Sequence, residues 1–423
     1  MANIGPLGDQ GHVVIIGGGP AGTACALSLR RLAVRMDRQV RITLVEGKQF
    51  AEERHYNQCV GVLSPPLPDL LETELGIRFP HHLARGEITG YTLCSAGEHL
   101  ALEGDETPSI ALRRVHFDAY MLEMIKEHGV NFLPARAVDL EFHANSVVVY
   151  TESLPLEGDV VVGAFGLDEG SASLFARVTP YRPPRALSSV VTKYHPGIEA
   201  VQRFGSHIHA FLPRHPHIEF GGITPKGNHL TVNIAGRKVD IRLMQAFLAQ
   251  SDVRAVLPRF ELAGEYSPDD LQYYKGRFPY SEASHYYGDR YAMVGDAAGL
   301  VRSFKGKGVT SAVLTGIRVA QSIMKTGISW AAFHTDYRRA NHDIISDMPY
   351  GRAIRIVVIA LARSGLLGAV LRAAHQEPRL RAALFGAVSG HVPYREVWAN
   401  SLAPHSLWAV LKSLYTGAPG KPS

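Results

Sequence analysis

The sequence predicts an α/β fold in which a parallel sheet crossed by helices is interrupted by an inserted antiparallel sheet and followed by a helical C-terminal region. Near the N-terminus, a β-branched strand leads through a glycine-rich turn into a helix and a second strand. From about residue 186 to residue 264, Val, Ile and Phe segments alternate with Pro and Gly turns, which is typical of an antiparallel sheet. Residues 331–423 have a helical pattern.

The composition is that of an ordinary globular protein. Of the 423 residues, 46% are hydrophobic and 20% are charged, so the chain can bury a large core and form two or three domains. The net charge of +5 suits an anionic cofactor or an anionic membrane surface. No clustered Lys/Arg run with interleaved aromatic residues occurs in the sequence, so we expect no nucleic-acid partner.

The three cysteines are Cys25, Cys59 and Cys94. They are too few for a disulfide framework and lack the spacing of zinc ligands, so we expect no metal site and a reducing, cytoplasmic location. Residues 1–10 are short and polar, which does not fit a secretory signal. The sequence contains no uncharged apolar run of about 18 residues, so we expect no transmembrane helix.

The N-terminal βαβ pattern predicts a Rossmann-like domain that binds a dinucleotide. Gly17, Gly19 and Gly22 follow a short apolar strand, and Glu46 ends the next strand. The first glycine permits the tight turn, the second lets backbone approach a pyrophosphate, and the third lets helix and strand pack closely. Glu46 is placed to accept a hydrogen bond from a ribose hydroxyl. The alternative is a glycine-rich turn with only a packing role.

A second glycine-bounded turn indicates which dinucleotide binds. Gly295-Asp296-Ala-Ala-Gly299 follows a buried strand, and a helix is predicted from about Val309. A single nicotinamide-binding fold has no need of this turn, whereas extended FAD needs a second wall for its ribityl and flavin parts. Asp296 can accept from ribityl hydroxyls, and the helix N–H groups near Gly308 can point at the flavin. The alternative is that Asp296 caps a helix.

These patterns divide the chain into four parts. We predict residues 1–185 to be the first part of the FAD-binding domain, with an irregular insertion at 50–113. Residues 186–285 are predicted to form the antiparallel sheet of a substrate domain. Residues 286–330 return to the FAD-binding domain, and residues 331–423 form the helical C-terminal region.

Several motifs in order resemble the para-hydroxybenzoate hydroxylase-like flavoproteins and, within them, the geranylgeranyl reductase family. They are Gly17-x-Gly19-x-x-Gly22, Arg114-Val-His-Phe117-Asp118, Val160-Val-Val-Gly163-Ala-Phe-Gly166 and Gly295-Asp296-Ala-Ala-Gly299. The segment 57–64 is similar to the reductases' Cys-Gly-Gly-Gly segment, with Val60 and Val62 replacing two glycines. The segment 304–309 is similar to their loop under the flavin, with Phe304 replacing a proline.

The resemblance implies a set of site residues. The ADP half of FAD would contact Gly17, Gly19, Gly22 and Glu46, while Arg114 would lie along the pyrophosphate and Asp296 would meet the ribityl chain. The residues expected to line the flavin are Gly306, Gly308 and Val309. For Arg114, the alternative is a surface residue at the start of a helix.

The resemblance also implies a reaction: reduction of isoprenoid or other lipid-like carbon–carbon double bonds by hydride from reduced FAD. Cys59 matches the family's cysteine beside the flavin and is a plausible proton source in an apolar site, where a carboxylate is costly to desolvate. His55 and Tyr56 precede it and could relay protons. The alternatives are that Cys59 is a small buried hydrophobe and that His55 and Tyr56 only pack at a loop.

Other functions remain open on the same scaffold. All three tryptophans lie in the C-terminal region, so the Trp-x-Trp-x-Ile-Pro segment of flavin halogenases is missing. Phe165-Gly166 stands where aromatic hydroxylases usually carry Asp-Gly, which disfavours an aromatic or polyketide monooxygenase without excluding it. Val60, Val62 and Phe304 leave room for a flavin-binding protein with a decayed site. Because no second glycine motif follows a strand, the electron donor is expected to be transiently docked NAD(P)H, a ferredoxin or a quinol.

The segment 352–372 has a basic edge on an otherwise apolar helix. At helical spacing, Arg352, Arg355 and Arg363 fall on one face. Such a helix can lie in a membrane interface with its arginines among lipid phosphates, which would place the protein at the inner face of a membrane. The alternative is a helix that packs on the protein's own core with a solvated basic edge.

Overall fold

The computed structural model describes residues 4–48, 59–104, 107–258, 271–301 and 307–416. Its strands are β1 (His12–Ile16), β2 (Arg41–Val45), β3 (Val62–Leu63), β4 (Ala84–Ile88), β5 (Gly90–Ser95), β6 (Glu98–Glu103), β7 (Ser109–Leu112), β8 (Asn131–Leu133), β9 (Ala137–Phe142), β10 (Val147–Thr151), β11 (Pro155–Gly158), β12 (Val160–Gly163), β13 (Ala186–Tyr194), β14 (His207–Phe211), β15 (Phe220–Lys226), β16 (His229–Gly236), β17 (Tyr273–Pro279), β18 (Tyr287–Gly288) and β19 (Tyr291–Met293). Its helices are α1 (Pro20–Arg35), α2 (Leu67–Leu70), α3 (Arg114–Glu127), α4 (Glu169–Val178), α5 (Ile198–Phe204), α6 (Ile241–Leu248), α7 (Ser251–Val256), α8 (Gly308–Lys325), α9 (Trp330–Ala332), α10 (Arg338–Ala340), α11 (His342–Ser364), α12 (Leu367–Gln376), α13 (Pro378–Ser389), α14 (Tyr394–Ser401) and α15 (Pro404–Thr416).

A six-stranded sheet in the order β18–β19–β12–β1–β2–β8 forms the first layer. All its pairings are parallel except that of β18 with β19. Strand β1 lies inside the sheet, and the side chains of Val13, Val14 and Ile15 are fully buried. A near-continuous β-branched strand is stable there because both of its faces are covered. The predicted β1–α1–β2 unit is therefore confirmed.

Helices α1 and α8 pack closely against each other beside this sheet. A β-carbon built on Gly316 of α8 would lie 2.3 Å from the carbonyl oxygen of Ala21. Only glycine allows that approach without a shift of one of the helices. The close contact holds the start of α1 near the turn that precedes α8, and these two segments come from opposite ends of the domain in sequence.

The second large sheet has seven strands in the order β17–β13–β16–β15–β14–β5–β6. Its pairings are antiparallel except between β14 and β5, which run parallel, so the inserted sheet is mixed. Strands β5 and β6 lie within the segment 50–113, which we expected to be irregular. The described part of the segment is therefore not irregular. The boundaries between the four parts of the chain stay a prediction.

One face of the seven-stranded sheet is covered by α5, α6 and α7 through an apolar cluster that includes Val190, Val232 and Ile234. The smaller sheets have the orders β11–β10–β9 and β3–β7–β4. In the second of these, Val62 pairs with Ala111, so the segment after Cys59 is fixed to the strand that precedes α3.

Helices α11 to α14 form the predicted helical C-terminal region, and α12 packs on β5 and β6. We expected Arg355 to lie on an exposed basic edge of α11, and this expectation is wrong. Arg355 is buried and forms an ion pair with Glu219 through two hydrogen bonds. The guanidinium of Arg363 donates to the carbonyl oxygen of Pro216, which also binds it to the protein. Because Ile356 and Val357 are exposed, contact of this helix with lipid stays a prediction.

Within the described residues, no single helix combines the length and apolarity of a membrane span. Helices α11 and α12 meet those criteria only when taken as a pair, and they are bent by 108° at the break between them.

Candidate cofactor and active site

The glycine turn after β1 has a geometry that only glycine can supply. Gly17 has a φ of +116°, and its N–H donates to the carbonyl oxygen of Val45 at 2.9 Å. A β-carbon on Gly17 would lie 2.4 Å from the carbonyl oxygen of Ala164, and one on Gly22 would lie 2.0 Å from that of Gly17. The first and third glycines of the motif therefore let α1 start directly against β1 and β12.

The N-terminus of α1 is open. Its N-cap residue is Gly19, no side chain caps the helix, and its first turn contains no acidic residue. A β-carbon on Gly19 would meet no described atom within 4 Å. Uncapped N–H groups and the positive end of the helix dipole are the features that bind phosphate at helix N-termini. The turn thus fits the pyrophosphate of a dinucleotide.

Glu46 lies at the end of β2, as the motif predicts. One carboxylate oxygen accepts from the N–H of Gly18 at 2.9 Å, and the other accepts from the N–H of Lys48 at 2.7 Å. A carboxylate has about four lone-pair sites, so each oxygen can accept a further hydrogen bond. These contacts fix the side chain at the glycine turn, where a ribose hydroxyl would find an acceptor.

Asp296 belongs to the short 3₁₀ turn Gly295–Ala297, which follows β19. The N–H of Gly295 donates to Thr315 Oγ1 at 2.9 Å, and the hydroxyl of Tyr181 donates to the carbonyl oxygen of Ala297 at 2.8 Å. Burial raises the pKa of Asp296 to about 6, although the positive charge of Arg114 opposes the rise. The backbone of the turn is thus held in place on both sides of Asp296, and the carboxylate lies in a poorly solvated position where a hydroxyl donor would stabilise its charge.

The two turns meet. A β-carbon on Gly295 would lie 3.0 Å from the β-carbon of Ala21 in the first turn of α1. Gly17 follows β1 and Gly295 follows β19, so both turns lie at the carboxyl edge of the same parallel sheet. Ligands of open α/β sheets bind in the crevice outside this edge. The structure therefore brings together the two motifs that are separated by almost the whole FAD-binding domain in sequence.

Arg114 is the first residue of α3 and is largely buried, which contradicts its interpretation as a surface residue. Its Nε donates to Asp118 at 2.6 Å, and the side chains of the pair are 15% and 3% exposed. Burial lowers the pKa of Arg114, but the negative charges of Asp118, Cys59 and Asp296 outweigh that effect and raise it. Arg114 is thus a permanent cation within electrostatic range of both Cys59 and Asp296.

Cys59 differs from the other two cysteines. It is exposed, and its Sγ accepts from the N–H of Gly61 at 3.3 Å. Cys25 and Cys94 are buried; burial raises the pKa of the Cys94 thiol to about 12 and that of Cys25 higher still. Among the cysteines, the thiol that stands near cations and can reach a ligand is therefore Cys59, which contradicts its interpretation as a buried hydrophobe.

The N-terminus of α8 is linked to the segment that follows Cys59. The helix begins at Gly308, no side chain caps it, and its first turn contains no acidic residue. Lys307 Nζ donates to the carbonyl oxygen of Pro65 at 3.0 Å and so ties this end to the segment that follows Cys59. Gly308 and Val309 are thus placed near that segment.

Three of the predicted site residues, His55, Tyr56 and Gly306, lie outside the described residues. The residue that sequence reasoning missed is Lys226, at the end of β15. Its side chain is buried, and its Nζ donates to the carbonyl oxygen of Leu112 at 3.0 Å. Lys226 stands in the run Pro225-Lys226-Gly227-Asn228, which is typical of an exposed turn, so its burial could not be predicted from this pattern.

Comparison with known proteins supports the fold. Residues 11–65 match the family model described as pyridine nucleotide-disulphide oxidoreductase. No curated protein matches the sequence.

Solved structures match nearly the whole chain. A geranylgeranyl bacteriochlorophyll reductase-like protein from Thermoplasma acidophilum is 14% identical, with a TM-score of 0.68 over 96% of this chain and 99% of its own. A flavin-dependent brominase is 16% identical, with a TM-score of 0.66 over 93% of this chain and 98% of its own. A halogenase in complex with phloroglucinol and FAD is 13% identical, with a TM-score of 0.61 over 94% of this chain and 87% of its own.

Identities this low establish the fold alone. The fold class expected from the sequence, an FAD/NAD(P)-binding Rossmann-like domain with an inserted sheet and a helical C-terminal region, is confirmed. FAD is the cofactor that this fold and the two converging turns indicate.

Proposed function

We propose that this chain is an FAD-dependent oxidoreductase that reduces carbon–carbon double bonds of an isoprenoid or other lipid-like substrate. The observation that carries the proposal is the convergence of the glycine turn and the Asp296 turn, with the Arg114 cation linking Asp296 electrostatically to the exposed thiol of Cys59. A dinucleotide held between these turns would have Cys59 near one of its ends.

The residues divide the cofactor between them. Gly17, Gly19, Gly22 and Glu46 would hold the ADP half, because their turn offers free N–H groups and a fixed carboxylate. Arg114 would balance the negative charge of the pyrophosphate, and Asp296 would accept from the ribityl chain. Gly306, Gly308 and Val309 would line the flavin. When bound and reduced, FAD supplies a hydride for one carbon of the double bond.

Cys59 would deliver the proton that the neighbouring carbon needs. Its thiol is exposed, whereas the thiols of Cys25 and Cys94 are buried. The Gly61 N–H and the nearby positive charges of Arg114 and Lys226 would stabilise the thiolate that remains. His55 and Tyr56 would return the proton to the thiol after each turnover. The electrons would come from NAD(P)H, a ferredoxin or a quinol.

Two further functions compete with this one. The solved structures with a similar fold include a flavin-dependent brominase and a halogenase in complex with phloroglucinol and FAD, which keeps a flavin-dependent aromatic or polyketide monooxygenase as the second candidate. The third is a flavin-binding protein whose catalytic site has decayed, and it is suggested by Val60, Val62 and Phe304 in the matching segments.

The reaction product and the rate of flavin reoxidation in air distinguish the three candidate functions. FAD-loaded protein is reduced with dithionite without oxygen and mixed with a prenyl substrate, and the products are analysed by mass spectrometry. A gain of two hydrogens per double bond supports the reductase. Rapid flavin reoxidation in air with a gain of one oxygen supports the monooxygenase, and flavin that stays oxidised with every reductant supports the decayed site.

Replacing Cys59 by Ser tests the assignment of the proton donor. We expect kcat to fall by about 100-fold, the usual size of a general-acid contribution, because a hydroxyl is a much weaker acid than a thiol. FAD occupancy, read from the visible flavin spectrum, should not change. Cys94→Ser is the matched control, because Cys94 is buried outside the site and should leave kcat unchanged. An unaltered kcat for Cys59→Ser would remove Cys59 from the mechanism.

A further inference from the structure

A group of polar side chains lies on one face of the seven-stranded sheet. Thr231 of β16 is directly opposite Lys193 of β13, and Lys226 of β15 is directly opposite His229. His229 and Thr231 are two positions apart on one strand, so these four side chains project from the same face. It is the opposite face to the one that α5, α6 and α7 cover through Val190 and other apolar residues.

Lys226 brings this face into contact with the predicted active site. Only 4% of Lys226 is exposed. A β-carbon on Gly61 would lie 2.8 Å from its Nζ, so the ammonium group lies directly against the segment that carries Cys59. Its hydrogen bond to the carbonyl oxygen of Leu112 uses one of three N–H donors and supplies no counter-charge.

Among the described residues, two further cations, Lys193 and Arg113, act on the ammonium group of Lys226. Burial, together with the positive charges of Lys193 and Arg113, lowers the pKa of Lys226 to about 8, while Cys59 acts in the opposite direction. Among the described residues, no carboxylate contributes to this pKa. A buried ammonium is costly unless it is paired, so a positive group of this kind is typical of a site whose anion arrives with a ligand.

Two buried atoms on the same face, Thr231 Oγ1 and His229 Nε2, have no hydrogen-bond partner among the residues that the structure describes. Thr231 is 2% exposed and His229 is 5% exposed. Burial and the charge of Lys226 lower the pKa of His229 to about 3, so its imidazole is neutral and adds no positive charge. Buried polar atoms normally have partners, and a buried hydroxyl without one, on the sheet face that also carries Lys193 and Lys226, indicates the position of a missing polar ligand.

We propose that Lys226, Thr231 and Lys193 form a binding site for an oxyanion, a carboxylate or phosphate group carried by the apolar substrate. The inference rests on the proposed function, since it names the end of the substrate that lies beside Cys59. A purely structural role for Lys226, tying the Leu112 carbonyl to β15, needs only a neutral donor and leaves Thr231 Oγ1 without a partner.

The test compares ligands that share an apolar chain and differ in head group. Decanoate, decyl phosphate and decanol are titrated into FAD-loaded protein by calorimetry, with inorganic phosphate as a further ligand. FAD is present so that phosphate cannot occupy the glycine turn. Because a hydrogen bond to a charged group contributes strongly, we expect the two anionic amphiphiles to bind about tenfold or more tightly than decanol. Inorganic phosphate alone should bind far more weakly than decyl phosphate.

Variants locate the effect. Lys226→Met keeps the apolar stem and removes the charge, so it should abolish the preference for the anionic ligands and leave decanol binding unchanged. Thr231→Val, which has nearly the same shape, should weaken only the anionic ligands, by about three- to tenfold for one lost hydrogen bond. Lys275→Met is the matched control, because Lys275 is exposed and lies on the opposite face of the same sheet.

The outcomes separate this inference from the proposed function. Protein that takes up no FAD contradicts the proposed function before any ligand is added. FAD-loaded protein that binds decanol as tightly as decanoate, or that keeps its preference for anions in both Lys226→Met and Thr231→Val, overturns the oxyanion site. Inorganic phosphate that binds as tightly as decyl phosphate overturns the assignment to an apolar substrate.

Discussion

At the scale of single residues, the site holds two charges that the described residues stabilise only in part. Burial raises the pKa of Asp296 to about 6, and burial lowers the pKa of Lys226 to about 8. Both directions mean that the charged form is less stable in the folded protein than in water. Residues that destabilise the empty protein in this way are typical of binding and catalytic sites, where a ligand supplies the missing interaction.

Asp296→Asn tests this interpretation. The folded pKa of Asp296 is raised, so the folded state binds its proton more readily than the unfolded state, and the charged carboxylate destabilises the apoprotein above pH 6. We expect the variant to be more stable than the wild type at pH 7 by on the order of 2 kcal/mol, since one pKa unit corresponds to about 1.4 kcal/mol. The difference should shrink as the pH falls from 6 towards 4.

Urea unfolding of both apoproteins at pH 4, 5, 6 and 7 measures the difference. FAD affinity should change in the opposite direction and weaken in Asp296→Asn, because the amide loses the negative charge that would accept from the ribityl chain. A variant that is less stable than the wild type at pH 7 would show that Asp296 is a stabilising helix cap, the alternative that its sequence context left open.

At the scale of elements, the glycines at the N-terminus of α1 have two different roles: some allow close packing of the backbone, and one leaves space for a ligand. Gly22 allows α1 to approach the backbone of Gly17, whereas a β-carbon on Gly19 would meet no described atom within 4 Å. Gly19 also has an extended backbone with a φ of −74°, which alanine adopts without strain. The two positions should therefore respond differently to the same substitution.

We expect Gly19→Ala to fold normally and to bind FAD at least about tenfold more weakly, because the added methyl group would occupy the space that a phosphate needs. Gly22→Ala should instead lower the free energy of unfolding of the apoprotein by about 1–3 kcal/mol, the usual cost of overpacking. Thermal unfolding of the apoproteins and FAD titration by fluorescence quenching measure both. Equal FAD affinity in Gly19→Ala and the wild type would contradict a phosphate site at this turn.

The elements predicted correctly from sequence are those with a strong local signal. Strands β1, β12 and β19 are short apolar runs bounded by glycine, and α8 begins within one residue of its predicted start. Strands β5 and β6 were missed although they form a local hairpin around Ala96-Gly97, and the sequence could not indicate that β5 pairs in parallel with β14, more than a hundred residues later in the chain. Nothing local specifies such a partner, since the pairing depends on where the rest of the chain folds.

The same distinction explains which site residues could be predicted. Gly17, Glu46 and Asp296 stand at strand ends in motifs whose residue spacing follows from the shape of the ligand. The sequence alone therefore indicates them as site residues. Lys226 becomes a candidate only when β15 is paired with β16 and its Nζ reaches Gly61 from another part of the fold.

At the scale of the whole molecule, a buried ion pair joins the helical C-terminal region to the seven-stranded sheet. Arg355 of α11 donates from Nε and Nη2 to both carboxylate oxygens of Glu219, each at 2.6 Å. Its guanidinium also lies 4.6 Å from the centre of the Tyr280 ring. The helical spacing of the arginines could not predict this contact, because the acidic partner lies more than a hundred residues away in sequence.

Removing one partner of this ion pair should lower the free energy of unfolding much more than replacing both partners together. We expect Arg355→Met and Glu219→Gln each to lower the free energy of unfolding by about 3 kcal/mol, because each leaves a buried charge without its partner. The double variant should lose much less than the sum of the two, which gives a coupling of about 2 kcal/mol. Arg177→Met is the control, since its pair with Asp139 is exposed and should contribute under about 1 kcal/mol.

Tryptophan fluorescence during urea unfolding is a suitable measurement, because Trp398 and Trp408 lie in the helical C-terminal region and report on its release, while Trp330 belongs to the segment predicted to complete the FAD-binding domain. If the helices are held by this pair, the loss of fluorescence should move to lower urea in Arg355→Met. Strictly additive effects of the two substitutions would mean that the apolar contacts of α12 with β5 and β6 hold the region, and that the buried pair only fixes the direction in which α11 leaves the sheet.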